Sequence, residues 1–178
     1  AQSASVQQPA VNPLHEELWS AARAGDLARV KAAIDKGAPV DAKARYNMTA
    51  LGFAADKGHI DVVKFLIEKG ADVNAQDTFY KARPIVWALS NKHFAVATLL
   101  LEKGSTGAAF AMSTGIQAGN EALVKLALAA PDITTEQVVA GVTAAKQSKN
   151  AIIIALLEAK LATMPALAAV TVAPAVLQ

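Results

Sequence analysis

The chain has 178 residues, with 17 Lys+Arg against 15 Asp+Glu, and it contains no cysteine. That length holds one compact domain or one short repeat array. A net charge of +2 is no electrostatic footprint for nucleic acid, and without Cys there is no disulfide framework, thiol nucleophile or Cys-based zinc site.

The first segment, residues 1–13, reads AQSASVQQPAVNP. It is polar and lacks an apolar run, so a disordered leader is expected. A start at Ala1-Gln2 without Met looks like the product of signal-peptidase cleavage behind a small residue. A periplasmic or secreted protein is therefore expected; the alternative is an arbitrary boundary on a cytoplasmic chain.

Self-similarity begins just after this leader. SAARAGDLARVKAAIDKGAPVDAK from Ser20, FAADKGHIDVVKFLIEKGADVNAQ from Phe53 and WALSNKHFAVATLLLEKGS from Trp87 align in one register. Gly37-Ala38 recurs as Gly70-Ala71 after 33 residues and as Gly104-Ser105 after 34. Gly25-Asp26 recurs as Gly58-His59 and as Lys92-His93 with the same two steps. A fixed period with matches at turn positions is the mark of a stacked repeat. Each copy reads as a pair of helices. The first is short and Ala-faced. The second is apolar at i, i+3 and i+4: Ile60, Val63, Leu66 and Ile67 in one copy, Phe94, Ala97, Leu100 and Leu101 in the next. Gly70 and Gly104 stand where these helices must stop. Alanine accounts for 41 residues of the chain. It favours helix and lets helices approach closely, so no unit buries its apolar face without a stacked neighbour.

Beyond Gly104 the pattern shortens. Ala118 to Leu126 parallels Lys57 to Phe65 at an offset of 61, and Ala144-Ala145 with Ile152 to Lys160 parallels Ala54-Ala55 with Val62 onwards at an offset of 90. The steps between copies thus fall from 33 or 34 to 27 and then about 29. Five helix pairs are expected, at about 14–43, 44–76, 77–106, 107–133 and 134–163. The last two lack the residues for a long connection and serve as a C-terminal cap. Thr134-Thr135-Glu136-Gln137 offers a capping start for the fifth. Residues 164–178 carry Pro165, Pro174 and a β-branched run. They are too short and broken for a membrane span and are expected to form an extended tail or the entry strand of a further domain.

The pattern resembles the ankyrin repeat. The best copy is Thr49-Ala50-Leu51-Gly52, Ala54-Ala55, Gly58-His59, Val62-Val63, Leu66-Ile67 and Gly70-Ala71-Asp72-Val73-Asn74-Ala75; the next opens with Asp77 and Arg83-Pro84-Ile85-Val86. The resemblance implies an all-α ankyrin-repeat solenoid of about five stacked helix pairs, with short β-turn fingers after the first two units. The histidine of the family's TPLH start is replaced by Gly52 and Val86. It normally ties neighbouring repeats, so looser interfaces are expected here.

No chemical constellation competes with that reading. His15, His59 and His93 are the histidines; the last two fall at equivalent turns, where a turn or capping role is expected. Stacked helices lie about 10 Å apart, too far for the two to share an ion. Glu16-Glu17 fits the polar face of a first helix, and Asp41 and Asp72 fit turns that bond their own backbone. Gly115-Ile116-Gln117-Ala118-Gly119 has no preceding strand and no Lys, so it is no phosphate loop. No catalytic residue, cofactor or metal is expected.

What remains is surface for a protein partner. By the resemblance, the partner lies across the finger tips and the exposed side of the first helices. The first finger supplies Arg45, Tyr46, Asn47 and Met48; the second supplies Thr78, Phe79, Tyr80 and Lys81, with Arg83 after it. The first helices supply Arg23, Asp56, Lys57, Ser90 and Asn91. The chain has nine aromatic residues, and three of them fall in these two turns. Turn tips usually carry Gly, Asn, Asp or Ser, whereas exposed aromatics beside Arg are hot-spot chemistry. The alternative is that Phe79 or Tyr80 folds back over the stack. Trp87 aligns with Phe53 and is expected partly in the core; Trp19 is expected to cap the first repeat.

The expectation is a monomeric, non-catalytic protein-binding module with neither nucleic acid nor membrane as partner. By the resemblance, it would restrain or protect a periplasmic enzyme. The rival readings are a structural segment of a larger protein and a small-molecule or hydrolytic domain. The latter requires a closed cavity with converging polar groups, which no cluster in the sequence offers.

Overall fold

The computed structural model describes residues 12–164. The expected leader, apart from Asn12 and Pro13, and the expected tail beyond Met164 lie outside the described residues. Among the described residues there are ten α-helices and no strand. They form five antiparallel pairs: α1 (Pro13–Ala24) with α2 (Leu27–Asp35), α3 (Ala50–Lys57) with α4 (Ile60–Glu68), α5 (Pro84–Ser90) with α6 (Phe94–Glu102), α7 (Ala108–Ala118) with α8 (Glu121–Ala129), and α9 (Thr135–Ser148) with α10 (Ala151–Thr163). The first helices stack in one row, α1 on α3 on α5 on α7 on α9, and the second helices stack in a parallel row behind them.

Local chemistry sets the helix starts. Asn12, Asp26, Thr49, Asn120 and Asn150 each accept a backbone N–H of the first turn. Thr134 and Gln137 form a reciprocal capping box at α9. The Glu17 carboxylate grips Arg29 at 2.7 and 2.9 Å, joining α1 to α2. That fork holds the Glu17 carboxyl below the usual carboxylate range.

Alanine lets the two rows meet. Ala21, Ala22, Ala54, Ala55, Ala88 and Ala111 are buried at helix contacts. On the second helices the buried stripe runs through Val62, Val63 and Leu66, then Val96, Ala97 and Leu100. It is centred slightly off the predicted stripe, because Ile60, Ile67, Phe94 and Leu101 are only half-buried. Gly115 has a packing role: a Cβ there would lie 2.8 Å from Val124 Cγ2, so its absence lets α8 close on α7.

In place of the lost TPLH histidines, other side chains bond between units. His59 Nε2 lies 3.0 Å from the Arg23 carbonyl, and His93 Nε2 lies 3.1 Å from the Asp56 carbonyl. Each histidine precedes a second helix without capping it by its side chain. It reaches back to the preceding unit instead. The turn acids also work between units. Asp41 accepts the Asp72 N–H at 3.1 Å, and the Asn74 side chain accepts both the N–H and the hydroxyl of Thr106. Asp132 accepts the N–H groups of Gly107 and Ala108 at the start of α7. A ladder of polar side chains thus runs along the loops; Asp72 keeps the local role expected of it, accepting the Asn74 N–H at 2.8 Å, whereas Asp41, for which a local role was also expected, reaches the next unit.

Candidate partner-binding site

Residues 44–48 and 77–82 are compact turns on the side of the first helices. Neither contains a strand, and Arg45–Asn47 in the first forms a single 3-10 turn. In the first, the Ala44 N–H donates to Met48 O at 2.8 Å and the Asn47 N–H to Ala44 O at 3.0 Å. Tyr46 and Asn47 sit at φ 61 and 59, a left-handed conformation that Asn adopts readily and Tyr rarely. In the second, the buried Asp77 carboxylate accepts the N–H groups of Phe79, Tyr80 and Ala82 at 2.9, 2.6 and 3.0 Å. The Thr78 N–H then donates to Tyr46 O at 2.7 Å, joining one turn to the other.

This backbone link brings the rings together. Centroids are 5.2 Å apart for Tyr46 and Phe79, 4.6 Å for Phe79 and Tyr80, and 5.5 Å for Tyr80 and Trp87. The last two contacts are edge-to-face, a favoured arrangement. The finger rings therefore fold back as far as Trp87 and still remain open to solvent: Phe79 is 61% exposed and Tyr80 68%.

Behind them lies a cleft of about 730 Å³ between the turns and the first helices. Trp19, Tyr46, Phe53, Phe79, Tyr80 and Trp87 line it, six of the nine aromatic residues of the chain. Two guanidinium groups lie on its walls: Arg23 Cζ is 4.4 Å from the Phe53 ring centroid and Arg45 Cζ is 4.6 Å from that of Tyr46. Both are cation–π arrangements.

Of the sequence-predicted residues, Arg23, Arg45, Tyr46, Met48, Phe79 and Tyr80 meet in this cleft. The others do not line it. Asn47, Thr78 and Lys81 supply turn backbone, Lys81 at φ 56. Arg83 precedes α5 without a side-chain capping bond. Asp56, Lys57 and Asn91 hold one another lower on the row, with Asn91 Nδ2 donating to Asp56 at 2.9 Å and Lys57 Nζ at 3.0 Å from Asp56. Ser90 is exposed. Sequence reasoning missed the cleft itself, and with it Glu16, Trp19, Phe53, Asp77 and Trp87 as wall residues. The signal was available: Ser20, Phe53 and Trp87 share one repeat position, so their side chains face the fingers from the same row.

The cleft is apolar and offers no converging catalytic acids. Among the described residues no three His, Cys, Asp or Glu side chains could hold a metal ion, and no helix is long and apolar enough to cross a membrane.

The family model for ankyrin repeats, in three copies, matches residues 18–111, more than half of the chain. The chain belongs to the ankyrin-repeat family. Curated ankyrin relatives include palmitoyltransferase Hip14 of Drosophila melanogaster, 30% identical over 58% of this chain and 17% of its own length. The probable E3 ubiquitin-protein ligase XBOS33 of Oryza sativa subsp. japonica is 37% identical over 48% of this chain and 17% of its own length. Ankyrin repeat domain-containing protein 39 of Homo sapiens is 44% identical over 33% of this chain and 32% of its own length. The chain thus matches a third or less of each. The enzyme names describe those larger proteins. The shared ankyrin part is a protein–protein interaction module.

Proposed function

We propose that this ankyrin array is a non-catalytic module that binds a protein partner through the two turns and the cleft behind them. The observation that carries the reading is the ring ladder from Tyr46 to Trp87, exposed at Tyr46, Phe79 and Tyr80. Large exposed aromatics beside stacked guanidiniums are the side chains that dominate interface energies. The turns are held by Asp77 and by the Thr78–Tyr46 backbone bond, so little ordering remains to be done on binding.

The test is the triple substitution of Tyr46, Phe79 and Tyr80 by Ala. Partner capture from the source organism and thermal unfolding are measured separately. Folding is expected to persist with binding lost; unchanged capture, or loss of folding without a specific binding defect, defeats the reading. We extend the proposal to an exported setting, in which the partner is an enzyme that this module restrains or protects. Fractionation of source cells checks the compartment, and a cytoplasmic pool alone defeats that extension. A second reading, a structural segment of a larger protein, is favoured by the much greater length of the relatives. An immunoblot of the endogenous protein at a mass well above that of this chain would support it.

A further inference from the structure

Two acids and two arginines line the cleft, and among the described residues none of the four forms an ion pair. Asp77 is one of two acids on its walls, and its carboxylate is committed to three backbone N–H groups. The other is Glu16, exposed on α1. Against them stand Arg23 and Arg45, each lying over an aromatic face. Among the described residues neither forms an ion pair with a carboxylate.

This arrangement constrains the occupant. A partner that fills the apolar cleft strips water from both guanidiniums. Burying a charge without a counter-charge is costly, so a purely apolar segment sacrifices much of what its contact area supplies. A basic segment adds repulsion. A carboxylate supplies the missing ion-pair partner, because guanidinium presents a planar fork of N–H donors that matches it bidentately. Stacking on an aromatic face leaves that fork usable. The volume, about 730 Å³, falls within the range that buries a drug-sized ligand, roughly 300–1,000 Å³. Side chains i and i+2 of an extended segment lie on one face, roughly 7 Å apart. One can enter among the rings while the other reaches a guanidinium.

Resting on the protein-binding reading above, we propose that the cleft receives an extended segment of the partner in which an aromatic or branched apolar side chain lies within two residues of an Asp or Glu. The acid pairs with Arg23 or Arg45, and the apolar side chain packs among Phe53, Phe79, Tyr80 and Trp87.

The experiment is selection of random dodecapeptides on the wild-type chain, followed by titration of the enriched peptides as capped synthetic probes. The expected result is enrichment of an acid within two residues of a large apolar side chain. R23Q/R45Q should then weaken those peptides about tenfold or more, as loss of one partner of a desolvated pair does, while R23K/R45K keeps the preference for acid. Thermal unfolding verifies that both variants fold. Enriched peptides without acids, equal affinity for R23Q/R45Q, or no enriched peptide at all would each overturn the proposal. The Y46A/F79A/Y80A variant separates this from the broader reading. If natural partner capture depends on the fingers but no acid preference exists, only the segment chemistry is wrong. If capture ignores the fingers, the binding site itself is misplaced.

Discussion

Two tryptophans line the same cleft and treat their indole N–H groups differently. Trp19 Nε1 donates to the Ala42 carbonyl at 2.9 Å, tying α1 to the loop after α2. Trp87 Nε1 is buried with no acceptor among the described residues. Replacing each by Phe removes similar volume but different polar chemistry. Trp19→Phe strands a buried carbonyl, whereas Trp87→Phe deletes an unsatisfied donor. Trp19→Phe is expected to cost about 1 kcal/mol more than Trp87→Phe in urea unfolding. Asp77 gives a second prediction. Asn in its place keeps one carbonyl oxygen but turns an amide against an N–H of the turn. A loss of about 1–3 kcal/mol is expected, with faster amide hydrogen exchange across 78–82. The finger aromatics were legible from the sequence, because three rings in two turns stand out when the chain has nine. The role of Asp77 was not, since nothing local in the sequence shows that three N–H groups of one turn converge on its carboxylate.

At the scale of the helix pair, glycine and histidine act together. Gly25 and Gly58 end first helices at φ 75 and 78, and a Cβ on either would lie 2.5 Å from Nδ1 of His59 or His93 in the next unit. Lys92 holds the equivalent place in the third unit at φ 61. The position that His59 and His93 hold in the second and third units is taken in the fourth by Asn120, a smaller side chain that caps α8. Lys92→Gly should therefore stabilise the array by about 1 kcal/mol, the usual strain of a left-handed non-glycine residue. Gly58→Ala should cost more than that strain alone, and the G58A/H93A double variant should recover the steric excess. A double-mutant cycle on urea unfolding measures that coupling. The repeat register made the turn glycines readable. The histidine bonds were not readable, because they cross between units and replace the family's usual tie with another residue.

At the scale of the molecule, the period of 33 or 34 residues and the later shortening predicted the five stacked pairs that the structure contains. The cleft was harder to foresee. It arises from four segments far apart in sequence: α1, the first turn, α3, and the second turn with α5. Only the stack brings them together. Such an array is stabilised by nearest-neighbour contacts, so the inner pairs should show greater amide protection than α9 and α10 in native-state hydrogen exchange. Early loss of the central pairs would contradict that order. The most direct measurement on the central claim is hydrogen exchange of the wild-type chain with and without the protein that it captures and the Y46A/F79A/Y80A variant does not. The account predicts added protection at 44–48, 77–83 and the cleft-facing side of α1, α3 and α5. Protection confined to α8, α9 and α10, with both turns unchanged, would contradict it.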